Sequence, residues 1–273
     1  MTSTIQHSFG RAAGRYDSVP GVQPAVARRL AGWLPAAAAR VLEVGCGTGN
    51  LTERLRPAFP QATCWITDLA PAMVAAARRR LEAAPGAAAR PGAVHWQAGD
   101  IRAFMPPAGG FDLIASSSAL HWIQPLEPAL ARLAGWLAPG GQLLAALILD
   151  DTLGELRASR QAVAPVQTAA GRTLPSEAAV RQAVAGAGLA LRRAETETIC
   201  TRADSAAALF RQLRAQGVAA GIYPAGAGLT RGGLARLAAH YDRHYPHPQG
   251  GVAVTWRVFY FSATTPFAAN RDP

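Results

Sequence analysis

The 273 residues include no lysine. All 27 basic residues are arginine, set against 17 acids for a formal net charge of +10. A Walker phosphate loop, which must end in Gly-Lys-Ser/Thr, is therefore excluded. Cysteine is also scarce. Cys46, Cys64 and Cys200 form an odd, scattered set with no pair at metal-ligand spacing, so they read as reduced thiols of a cytoplasmic protein. No apolar run approaches the roughly 20 residues needed to cross a bilayer, which argues against a membrane partner. The opening stretch, MTSTIQHSFGRAAGRYD, lacks the apolar region and cleavage site of a secretory signal. Internal repeats and long linkers are missing too. The arginines are spread along the chain rather than clustered, which argues against nucleic acid. With the abundant alanine, they follow the composition of a GC-rich genome.

What is present suits one globular domain with an elaboration, at 50% hydrophobic and 16% charged residues. From 39 to 149, short β-type runs alternate with Ala/Arg-rich helical stretches. ARVLEVG, ATCWITD, VHWQAGD, FDLIASS and QLLAALIL (142–149) are the predicted strands. NLTERLRPAF reads as a helix stopped by Pro60. PAMVAAARRRLEAA reads as one begun at Pro71 and closed by Pro85, and LEPALARLAGWLAPGG as one ending at Gly140–Gly141. This alternation calls for a mostly parallel α/β sheet covered on both faces. Beyond it, 150–174 predicts one helix and a loop, PSEAAVRQAVAGAG a helix, and LALRRAETETICT an edge strand. Residues 203–250 predict a helical cap broken by GIYPAGAGLTRGG, and 251–263 the strongest strand of all. The expected organisation is N-terminal lid helices over 1–38, a cofactor core over 39–149, the remainder of the core over 150–202, the cap, the last strand, and a tail from 264.

The loop VLEVGCGTGN carries glycine at 45, 47 and 49 directly after a strand. A dinucleotide fingerprint wants a glycine where Asn50 stands. Alternate glycines let backbone pass beside a flat, cationic ligand without Cβ clashes, and Glu43 lies two residues before, where an acid can face an ammonium. Asp68 ends the second strand, where a carboxylate accepts from ribose hydroxyls. Gly99–Asp100 end the third, near an adenine's amino edge, with Leu69, Met73 and Ile101 as apolar walls.

As an ordered set, VLEVGCGTGNLT, DLAPAM, AGDI, FDLIASSSALHW and LAPGGQLL resemble the motifs of class I S-adenosylmethionine-dependent methyltransferases. The resemblance implies a Rossmann-like, seven-stranded, mostly parallel sheet with an antiparallel last strand. It implies S-adenosylmethionine as cofactor, held by Glu43, Gly45, Gly47 and Gly49, by Asp68, Leu69 and Met73, and by Asp100, Ile101 and Ser116.

The acceptor has to be read elsewhere. SSSALHW lacks the prolines and side-chain amide of amino-group methylases, and places His121 and Trp122 toward a substrate's reactive end. FGRAAGRYD (9–17) followed by Gln23, LGELRASRQAV (153–163), LFRQLRAQG (209–217), LTRGGLARLAAHY and VTWRVFYF resemble the malonyl-acyl-carrier-protein O-methyltransferases of biotin synthesis. Trp256 and Arg214 depart from that family's usual Tyr and Lys. The resemblance implies malonyl-loaded acyl-carrier protein as partner. A carboxylate acceptor is already ionised and needs no general base, so Arg211 and Arg214, three apart on one helix face, are predicted to orient substrate. Tyr16 is predicted to close over the site. A methylase of free polycarboxylates such as aconitate, an RNA methylase and a non-catalytic cofactor binder stay open as alternatives. HYDRHYPHP puts His240 and His244 four apart near Asp242 and His247, but no Glu follows the first His and Pro246 stops the helix, so no metal is predicted.

Overall fold

Seven strands form one sheet in the order β3-β2-β1-β4-β5-β7-β6. The computed structural model describes residues 2–14, 16, 21–84, 86, 92–163, 174–216 and 229–266, with backbone alone for 2–5. The strands are β1 (Arg40–Val44), β2 (Thr63–Asp68), β3 (Val94–Ala98), β4 (Phe111–Ser117), β5 (Leu137–Ile148), β6 (Ala190–Ala203) and β7 (Val252–Thr264). β1 to β5 pair in parallel. β7 runs antiparallel between β5 and β6. This is the predicted α/β arrangement, with the last strand reversed.

The buried strands show why the sheet has two covered faces. Successive side chains alternate sides, so Val41 and Leu42 belong to different cores. On one side Val41, Ile66, Leu113, Leu144 and Tyr260 pack beneath helices α2 (Gln23–Ala31) and α3 (Thr52–Ala58). On the other, Leu42, Ile114, Leu143 and Phe259 meet α5 (Leu126–Ala134) and α7 (Glu177–Gly186). Arg56, 2% exposed, is held inside by carbonyls. Its guanidinium donates to Ala62 O at 3.0 Å and Gly92 O at 2.9 Å, tying α3 to the segments leading into β2 and β3.

Two boundaries differ from expectation. α5 stops at Ala134 with Gly135 as its cap, and 137–141 belong to β5. Leu137 pairs with Phe111 before the register shifts and Gln142 pairs with Leu113. Pro139 donates no backbone hydrogen bond, and Gly140 at φ +78° bends the chain into the strand. α3 stops at Ala58 rather than at Pro60, with Pro57 inside its last turn. Pro85, residues 221–228 of the expected glycine-rich break, most of the loop before Leu174 and the tail from 267 lie outside the described residues.

β6 and β7 outrun the rest of the sheet. β5 leaves β7 at Ile148↔Val258, but β6 and β7 continue as a pair from Thr198↔Arg257 to Ala203↔Val252. Helices α8 (Ala206–Ala215) and α9 (Arg231–His244) are strung between these two ends. They lock together through Phe210 against Tyr241, and the Ala206 N–H donates to Asp242 Oδ1 at 2.7 Å. α6 (Gly154–Val163) packs against α9, while α1 (Thr2–Ala12) lies on α4 (Pro71–Ala83). No helix of the described residues is long and apolar enough to cross a membrane.

Candidate active site

The strand order reverses between β1 and β4, and a cavity of about 340 Å³ opens there at the strands' carboxyl ends. That is where open α/β sheets bind ligands. Its floor is the turn after β1. Each of that turn's three glycines has positive φ, yet for different reasons. A Cβ on Gly45 would lie 2.2 Å from Ala119 Cβ, so Gly45 lets β1 meet the end of β4. A Cβ on Gly49 would press on Ala77, where the turn packs against α4. A Cβ on Gly47 meets nothing within 4 Å, because that position faces the cavity.

The acids are pinned around this turn. Asp68 Oδ2 accepts the Gly47 N–H at 2.9 Å and Oδ1 accepts that of Ala70 at 2.8 Å. One carboxylate thus sets the glycine turn and the start of α4, and keeps lone pairs for a ligand's hydroxyls. Burial still wins over these hydrogen bonds and pushes its pKa up. Glu43, 1% exposed, accepts from the Thr52 hydroxyl at 2.6 Å. Burial, with Asp68 adding to it, raises the Glu43 carboxyl from 4.5 to about 8. Asp100 is the reverse case: Arg102 grips its carboxylate in a two-pronged pair and holds its pKa low.

The roof comes from the N-terminal segment. Phe9 sets its ring edge-on to Trp122, centroids 5.3 Å apart. Tyr16 packs with Phe9 on a small core of Ala12, Ala70 and Met73, and both rings line the cavity. The Gln6 amide donates to Leu69 O at 3.2 Å, fastening α1 over the loop after β2.

Residues 41–141 match the model of a methyltransferase domain family. A malonyl-acyl-carrier-protein O-methyltransferase of Laribacter hongkongensis (strain HLHK9) is 32% identical over 98% of this chain and 91% of its own length. One of Alcanivorax borkumensis is 31% identical over 96% and 86%. The chain belongs to the malonyl-acyl-carrier-protein O-methyltransferase family. Among solved structures, a protein of Bacillus halodurans C-125 shares its fold, with TM-score 0.60 and 14% identity over 90% of this chain and all of that one.

The cofactor of this methyltransferase is S-adenosylmethionine, and the cavity fits it. The open side of Gly47, a buried acid short of a cation and a second acid with unused lone pairs form a suitable donor set for an amino acid joined to a nucleoside. Glu43, Gly45, Gly47, Asp68, Leu69, Met73, Asp100 and Ile101 all line the cavity, as do Tyr16 and Trp122.

Five predicted residues lie elsewhere. Gly49 serves the α4 contact, and its neighbour Asn50 lines the cavity instead. Ser116 is fully buried, and its hydroxyl donates to Val44 O at 2.8 Å, bonding β4 to β1. Ser117, the last residue of the strand, and Ser118 beyond it line the cavity in its place. His121 is turned into the core, where its Nδ1 accepts the Ile148 N–H at 3.4 Å. Arg211 and Arg214 are exposed, since α8 turns Leu209 and Leu213 inward. Sequence reasoning did not find Phe9, Asn50, Ser117 or Ser118, nor Ala119 beneath Gly45. Ser118 carries one signal, a serine run at a strand's end, which the chain uses to turn at φ +56°. His240 and His244 stack at 4.0 Å, and His244 Nδ1 is bonded to the His240 carbonyl at 2.8 Å. No group of three metal-ligating side chains occurs among the described residues.

Proposed function

We propose that this methyltransferase esterifies the free carboxylate of a malonyl thioester carried on acyl-carrier protein, an early step of biotin synthesis. The observation that supports this reading best is the reach of the sequence match. It covers 98% of the chain, so the N-terminal roof, the α8–α9 cap and β7 are matched together with the cofactor core.

The chemistry of the cavity agrees. When bound, S-adenosylmethionine supplies an electrophilic methyl group on a sulfonium. A carboxylate attacks without losing a proton, so the chain needs to supply no base. Among the described residues no histidine lines the cavity, and its one arginine, Arg102, is engaged by Asp100. A free guanidinium on the acceptor would hold it back from attack. Phe9, Tyr16, Trp122 and Ile123 form a largely apolar acceptor side. Attack by an anion on a sulfonium removes charge, so excluding water there lowers the barrier. The roles of these residues are thus to orient the acceptor in line and to keep the cavity dry, with Tyr16 closing over both reactants.

The test is transfer of labelled methyl to malonyl-loaded carrier protein, run beside malonyl-CoA, aconitate and bulk RNA. Base-labile label on the carrier, well above the free acids, is the expected result. Label on aconitate or RNA with none on the carrier overturns the acceptor assignment.

A further inference from the structure

The charges of the molecule are unevenly matched. Along the β6–β7 edge the arginines are answered: Arg29 by Glu195 and Glu197, Arg193 by Glu195, Arg257 by Asp151. On the cap they are not. α8 and α9 carry Arg211, Arg214, Arg231, Arg236 and Arg243, all exposed, and none forms a hydrogen bond, ion pair or ring contact among the described residues. The only acid on either helix is Asp242, and its carboxylate is turned to the α8 N-terminus by the Ala206 N–H. Arg236 and Arg243 are seven apart and Arg211 and Arg214 three apart, so each pair shares a helix face. The charges thus sit on two helices packed against each other through Phe210 and Tyr241.

The α8 end of this pair lies close to the wall of the main cavity. The inner face of α8, with Gln212 and Gln216, lines a smaller cavity of about 60 Å³ together with Gly21. Two residues on, Gln23 lines the main cavity. A Cβ on Gly21 would lie 2.3 Å from Gln23 Oε1 and 2.5 Å from Gln216 Nε2. The C-terminal end of α8 thus adjoins a residue of the main cavity's wall, while Arg211 and Arg214 are on the exposed side of that helix.

We infer that the outer surface of α8 and α9 is the docking face for the acceptor's carrier protein, received through an acidic face of that protein. The inference rests on the carrier-bound acceptor proposed above, and it adds where and by what charge the carrier is held. Electrostatic docking of this kind acts on encounter and affinity and leaves the chemical step alone. It excludes a role for these arginines against the reacting carboxylate.

Two charge reversals test it, Arg236→Glu with Arg243→Glu and Arg211→Glu with Arg214→Glu. Each is expected to raise KM for malonyl-loaded carrier by about tenfold at low salt, with kcat at saturation within about twofold. KM for malonyl-pantetheine, which has no carrier to dock, stays within about twofold. Raising salt weakens the wild type toward the carrier and leaves its malonyl-pantetheine activity level. An unchanged KM for the carrier in both variants overturns the inference, as does an equal loss on malonyl-pantetheine. Carrier binding is read separately by titration without turnover. Binding that both reversals abolish, with no methyl transferred, removes the acceptor assignment and keeps the surface. Methyl transfer indifferent to both reversals removes the surface and keeps the acceptor.

Discussion

At the scale of single residues, Glu43 is the group whose chemistry the fold alters most. Burial lifts it to about 8, so the empty protein holds its proton through neutral pH. Because the folded value lies above the unfolded one, protonated Glu43 contributes stability that is complete below about pH 4.5 and is lost as pH rises through 8. A cation reverses the preference, so cofactor binding expels that proton below pH 8. Wild-type Kd for S-adenosylmethionine is expected to fall from pH 6 to 8 and then level. Glu43→Gln is expected to bind weakly with a flatter profile, so that the difference cancels titration of the ligand itself. Equal slopes by calorimetry in both proteins would exclude Glu43 as the linked group. Glu43 and Asp68 were legible in the sequence because strand ends have few uses for buried acids. Gly49 was assigned to the ligand because spacing does not distinguish a glycine under a cofactor from one under Ala77.

Among the elements, β1 and β4 were readable as short apolar runs, since a strand buried on both faces leaves no other pattern. The start of β5 was hidden, because Leu137 and Ala138 extend the apolar stripe of α5 across a turn that tertiary pairing with Phe111 decides. The roof ring of Phe9 had no local signal either, since its partner Trp122 lies 113 residues away. For the cap, two contacts anchor the α8 N-terminus, the Asp242 carboxylate on Ala206 and the Ser205 hydroxyl on Ala208 N at 3.2 Å. Asp242→Ala leaves one donor unanswered at that end and is expected to cost about 1 kcal/mol. Urea unfolding should show the loss, while cofactor titration shows an unchanged Kd because no described residue of α8 or α9 lines the main cavity.

For the whole molecule, cofactor binding and stability are one equilibrium. The cavity is assembled from the turns after β1 and β2, the end of β4 and the α1 segment at once, so a ligand that fills it binds the folded chain alone. At a hundredfold excess over Kd this adds about 2.7 kcal/mol, a rise in Tm of roughly 5–10 °C for a chain of this size. Thermal scans with and without S-adenosylmethionine check this, and an unmoved Tm would mean that the cavity is not its site. The overhang of β6 and β7 has a consequence of a different kind. All described residues lining the cofactor cavity come from Phe9 to Gln124, and the polypeptide from Ala203 to Val252 contributes none of them. The chamber for both reactants and the docking face inferred for the carrier are therefore written on separate lengths of one gene. A lineage can exchange the second length like a cassette and acquire a new client while inheriting its methyl source intact.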